Sequence, residues 1–110
     1  MKTIEFSVLN SEIRNIIETM FLQLDDEADI IDIIAAGDRK FSEILGNKPF
    51  PIDIFQNLMH LLFNPETEEF YEDIGVEARD SKGKWLSIRR NPSINVPDKS
   101  FIYLTPDAGC

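Results

Sequence analysis

From Lys2 to Leu9 apolar and polar residues alternate, with Ile4, Phe6 and Val8 on one side and Thr3, Glu5 and Ser7 on the other. That two-residue period predicts a half-buried strand at the start of the chain. The period then lengthens. Ile13, Ile16, Ile17, Met20, Phe21 and Leu24 fall on one helical face, opposite Arg14, Asn15, Glu18, Thr19 and Gln23, and this predicts an amphipathic helix. Asn10 or Ser11 is the candidate N-cap, and Glu12 places a carboxylate in the first turn. Leu22 is the one apolar residue on the polar side.

Asp25-Asp26-Glu27 interrupts this pattern. Ala28 to Ala36 predicts a second helix stopped by Gly37, with Asp29 and Asp32 favouring helix over a strand in the Ile30–Ile34 run. Asp38 is a candidate cap for a further short helix carrying Phe41, Ile44 and Leu45 and closed by Gly46 and Asn47. Lys48-Pro49-Phe50-Pro51 is expected to run extended, because each proline excludes its predecessor from the helical region.

The most apolar stretch follows, from Ile52 to Asn64. Wound as a helix, it gathers Asp53, Gln56, Asn57, His60 and Asn64 into one polar stripe, and its apolar residues cover roughly the other 200°. A helix of this kind is expected at the centre of the core. Asn64-Pro65-Glu66 has the signature of a new helix start, predicting a short helix to Asp73 with Gly75 as its left-handed stop. From Val76 the period returns to two. Ser81-Lys82-Gly83 predicts a turn and Lys84 to Arg90 a returning strand, with Leu86 and Ile88 inward and Trp85, Ser87 and Arg89 outward. Asn91 to Lys99 lacks apolar periodicity and is expected as a loop, and Ser100 to Thr105 as a last strand.

The predicted order is an N-terminal strand, three to four helices, and a three-stranded C-terminal antiparallel segment. It implies an α+β fold with one mostly antiparallel sheet covered by helices on one face. At 110 residues, with no repeat or linker, the chain is expected to be a single α+β domain, 1–110, ending in a short flexible tail.

Composition adds limits. Apolar residues make up 43% of the chain and charged residues 28%, which matches an ordinary globular domain rather than a disordered one. No apolar run reaches the length of a membrane span and the first residues lack a signal peptide's apolar core, so a cytoplasmic, membrane-free protein is expected. Cys110 is the single cysteine, which excludes an internal disulfide and a thiolate metal cluster. The net charge is −9, unevenly spread. Residues 1–78 hold 5 basic and 17 acidic side chains, whereas 79–99 hold 6 basic and 2 acidic.

Candidate chemistry is sparse. The glycines never cluster into a phosphate loop, and no serine or cysteine nucleophile signature occurs. Asp25 to Asp32 fails the EF-hand spacing, with Ile30 where its glycine and Ala36 where its glutamate would stand, so no metal or cofactor is expected. His60 and Asp53 share a stripe, but two helical turns put their backbones about 10 Å apart, too far for a direct acid–base pair. The most suggestive group is Trp85 with Arg79, Lys82, Lys84, Arg89 and Arg90, joined across strands by Tyr103 or Phe101. Aromatic and arginine side chains on one sheet face anchor protein interfaces, and they also stack and pair single-stranded nucleic acid.

The leading expectation is therefore a small acidic binding or regulatory domain, non-enzymatic, with an unidentified protein partner or a second copy of itself. A single-stranded nucleic acid binder is the first alternative, disfavoured by the acidic remainder. A small enzyme or ligand-binding domain using His60 and Asp53 is the second.

Overall fold

The computed structural model describes residues 1–51, 57–64, 66–67, 69–71 and 75–105. It opens on the expected strand, β1 (Lys2–Val8), whose alternate residues Ile4, Phe6 and Val8 are buried. Asn10 caps the next helix as expected, its side chain accepting from the amides of Glu12 and Ile13. That helix, α1, spans only Ser11–Arg14, and Met20–Leu24 forms strand β2, antiparallel to β1. The predicted helix across Met20 to Leu24 is thus corrected. Met20, Leu22 and Leu24 are buried while Phe21 and Gln23 are exposed, so Leu22, the misfit of the helical wheel, carried the true period.

Helix α2 (Ile30–Leu45) replaces the two helices expected there. Asp29 and Asp32 close a reciprocal capping box at its start: the Asp32 amide donates to Asp29 Oδ1 at 3.0 Å and the Asp29 amide to Asp32 Oδ2 at 3.1 Å. Buried Ile30, Ile33, Ile34, Gly37 and Phe41 follow the spacing of one helical face. Gly37 lies inside the helix, and Gly46, at φ 62°, ends it. The reason is packing: a Cβ at Gly37 would stand 3.0 Å from the Phe6 ring, so glycine here admits a neighbour rather than stopping a helix. Asp38, expected to cap its own segment, instead accepts from the amides of Leu58 and Met59, 2.8 Å for the latter. Burial raises its pKa above the usual carboxylate value of 3.8 against the pull of those two amides.

The long central helix is also corrected. Ile52 to Gln56 lie outside the described residues. The backbone is extended at Asn57, which caps the short helix α3 (Leu58–Leu62) through its bond from the His60 amide at 2.7 Å. Phe63–Asn64 then forms strand β3, antiparallel to β4 (Glu69–Phe70), where a helix to Asp73 was expected. The capping chemistry of Asn64 is real but serves a turn, its Oδ1 accepting from the Glu66 amide at 2.9 Å. Phe63 and Phe70 meet edge to face across this ladder, with ring centroids 5.6 Å apart. Pro65, Glu68 and residues 72–74 lie outside the description.

Strand β5 (Gly75–Arg79) and the following turn agree with expectation, although Gly75 lies within the strand rather than at a left-handed stop. Asp80 Oδ1 accepts from the amides of Lys82 and Lys84, each at 2.9 Å, and Gly83 has φ 84°. The returning strand does not form. One bridge, Arg79 to Trp85, is followed by a turn in which the Asn91 amide donates to the Ser87 carbonyl. Strand β6 (Phe101–Thr105) pairs with β5 antiparallel and with β1 parallel.

The main sheet is therefore mixed, in the order β2-β1-β6-β5. The expected three-stranded C-terminal antiparallel unit is reduced to the β5–β6 pair, because residues 84–90 turn after one bridge, and β6 pairs on its other side parallel to β1. Ile4, Phe6, Leu22, Ala78, Ile102 and Leu104 face one way into the core with Ile33, Ile34 and Phe41 of α2 and Leu58 and Leu62 of α3.

Lys2 shares this inward face at the end of the sheet and is 2% exposed. Its ammonium donates to the carbonyls of Asp26 (3.0 Å), Ala28 (2.7 Å) and Val96 (2.5 Å), with Asn95 Oδ1 at 3.1 Å. Burial lowers its pKa, opposed by Asp26, Asp32, Asp29 and Asp98. The 91–99 loop is thereby tied to the core from which Val96 hangs.

Candidate functional site

The other face of the sheet is built from the intervening residues. Register places Phe21 opposite Glu5, Glu5 opposite Phe101, and Phe101 opposite Arg79, whose bridge leads on to Trp85. One cross-strand row, Phe21–Glu5–Phe101–Arg79–Trp85, thus runs from one edge of the sheet past the other. A second row pairs Ser7, Tyr103 and Glu77, with Thr19 bonded to Ser7 at 3.2 Å between hydroxyls. Phe21 is 59% and Trp85 55% exposed, while Glu5, Phe101 and Tyr103 are half-buried.

Arg79 places its guanidinium carbon 4.0 Å from the Trp85 ring centroid, a cation–π contact. Tyr103 lies one row away on the same face. Lys84 and Arg90 are exposed, Lys84 in the turn held by Asp80. Arg89, expected beside Trp85, donates from its guanidinium to the Tyr71 carbonyl at 2.7 Å, because the chain turns after Trp85 instead of continuing as a strand. Of the residues expected here, register and contact unite Arg79, Trp85 and Phe101 in one row, with Tyr103 in the next. Phe21 and Glu5 were not anticipated; the alternation of Met20, Leu22 and Leu24 is the signal that would have found them.

His60 lies exposed on α3, and Asp53 is outside the described residues. A cleft of about 530 Å³ beside α3 is lined by Asp38, Phe41, Leu45, Phe50 and Asn57, without His60. Among the described residues no three His, Cys, Asp or Glu side chains converge on a metal position, and no helix is long and apolar enough to cross a membrane.

Fold and surface together define a small α+β domain with a mixed four-stranded sheet, one face closed by helices and the other carrying aromatic side chains to the surface. No family model and no curated protein matches the sequence. Among solved structures the chain is similar in fold to SAMP1 from Haloferax volcanii, at 13% identity over 98% of each chain with a TM-score of 0.53.

Proposed function

We propose that this chain is a small non-enzymatic domain that binds another protein through its open sheet face. The observation that carries the reading is the Phe21–Glu5–Phe101–Arg79–Trp85 row: aromatics, exposed at its two ends and partly buried at Phe101, alternating with single charges of both signs, on the sheet face opposite the core. Large, stiff aromatic rings offer contact area at small entropic cost, which is why they anchor protein interfaces. Glu5 and Glu77 on the same face favour a protein over a polyphosphate, since each carboxylate would repel a nucleic acid backbone. SAMP1, similar in fold over 98% of each chain, is a chain of comparable length.

The test is native mass spectrometry of the chain purified from its own cell, as wild type and as Trp85→Ser with Phe101→Ser. The wild type should carry a bound protein that the double variant loses while circular dichroism and unfolding midpoint stay close to the parent. A partner retained by the double variant overturns the reading. Salt-sensitive retention of an oligonucleotide would transfer the face to nucleic acid instead.

A further inference from the structure

The sheet has a second surface, its β2 edge, which meets the open face at Phe21. Glu5 donates its amide to Ser100, and Thr3 makes its backbone bonds to Asp98 Oδ1 and the Lys99 amide, so both residues point their polar backbone groups away from β2. Their opposite numbers, Phe21 and Gln23, are therefore non-hydrogen-bonded pairs whose own N–H and C=O groups point outward from the sheet. Lys40 of α2 reaches across to the Phe21 carbonyl at 3.3 Å, a long bond of the kind that shields a sheet edge from indiscriminate pairing.

Two clefts flank this edge end to end, between β2 and α2. One, about 470 Å³, is bordered by Phe21, Ala36, Arg39, Lys40 and Glu43; the next, about 540 Å³, by Leu24, Asp25, Glu27, Ala35 and Asp32. Gln23 and Arg39 border both, so they form one groove along the strand. Its charge changes sign along its length: Arg39 and Lys40 outnumber Glu43 near Phe21, and Asp25, Glu27 and Asp32 stand near Leu24. Ala35 and Ala36 keep the helix side of the groove shallow enough for a backbone to approach.

We propose that the β2 edge is a docking site for an extended segment of a basic partner protein, which adds as a fifth strand antiparallel to β2. Its lysine or arginine enters the groove beside Asp25, Glu27 and Asp32, and an acidic residue toward its other end meets Arg39 and Lys40. The outward groups of Phe21 and Gln23 supply the backbone ladder, and the antiparallel direction follows from its better hydrogen-bond geometry. The net charge of −9 selects a basic partner and opposes a second copy of this chain as occupant. Lys40 exchanges one long bond to a carbonyl for an ion pair, so an occupant without the acidic residue meets an edge that stays shielded.

The probe is a synthetic nine-residue peptide of alternating valine and threonine, with lysine near its N-terminus and glutamate near its C-terminus. It is titrated into the full chain and followed by amide NMR shifts and hydrogen exchange. The Phe21 and Gln23 amides should shift and exchange more slowly, while Trp85→Ala leaves the affinity unchanged, which separates this site from the open face. N-methylation of the peptide amides that face β2 should weaken binding by about tenfold or more, without altering the protein. Asp25→Asn with Asp32→Asn should weaken it several-fold, with a flatter salt dependence. No shift at Phe21 and Gln23, shifts confined to Phe101, Tyr103 and Trp85, or equal binding of the N-methylated peptide would overturn the proposal. So would protection of the same amides in concentrated protein alone, since the occupant would then be a second copy.

Discussion

The two faces of the four-stranded sheet are made by alternate residues of the same strands, yet they are held by different physics. On the closed face Ile4, Phe6, Ile102 and Leu104 are removed from water and packed against helices, where every missing methylene leaves a void. On the open face Phe21 and Trp85 keep more than half their surface in solvent, and the ordering forces are local: a cation–π contact, a hydroxyl pair and backbone register. Stability should therefore be concentrated on one side, and freedom to change sequence without unfolding on the other.

The largest test of that asymmetry is Phe6→Ala. It opens a cavity against Gly37 and should cost about 3–5 kcal/mol in urea unfolding; a loss under 1 kcal/mol would mean that α2 does not pack as described. Next comes Lys2→Ala, which leaves the carbonyls of Asp26, Ala28 and Val96 without their shared donor and should cost about 1–3 kcal/mol, with faster amide exchange through the 91–99 loop. Asp38→Ala should cost about 1 kcal/mol by leaving the Leu58 and Met59 amides at the start of α3 without their acceptor, measured in the same way.

Asp38 also sets a pH dependence. Its folded-state pKa lies above 3.8, so between 3.8 and that value the native chain binds more protons than the unfolded one. Its contribution to stability accordingly declines as pH rises through that window and is level above it. NMR titration of the side chain should give a midpoint above 3.8, and the same pH slope should vanish in Asp38→Asn. The smallest effect is expected on the open face, where Trp85→Ala should change unfolding free energy by less than about 1 kcal/mol. A larger loss would show the indole to be structural, and the contrast between the two faces would fail.

Strands whose two faces differ were readable from residue order. β1 and β5 announce themselves by alternation, β6 by a short apolar run, and the Ser81–Gly83 turn by its residues. What misled was local chemistry with more than one use. Gly37 resembles a helix stop and Asp38 a cap, but whether glycine ends a helix or admits Phe6 depends on a residue 31 positions away. Asn64-Pro65-Glu66 resembles a helix start, and its asparagine does bind an amide two residues on, yet a turn satisfies the same bond. Met20 to Leu24 fits both periods over five residues, and pairing with β1 decides for strand. The candidate face was legible in its Trp85, Arg79 and Tyr103, whereas Phe21 and Glu5 enter only through register. Arg89 left the group because a turn follows Trp85, and nothing in the alternation of 84–90 announces that turn.

The parallel pairing of β1 with β6 governs when this molecule can exist. Glu5 meets Phe101, so the sheet's two central strands come from opposite ends of the described chain. During synthesis the β1–β2 hairpin must wait, one flank of β1 unpaired, while everything between is made. Such distant contacts slow folding and leave an adhesive edge exposed in the interval. A chaperone or an early ligand of β1 would therefore act before the native surface exists, and truncation before Phe101 should release a hairpin that aggregates rather than a smaller working domain.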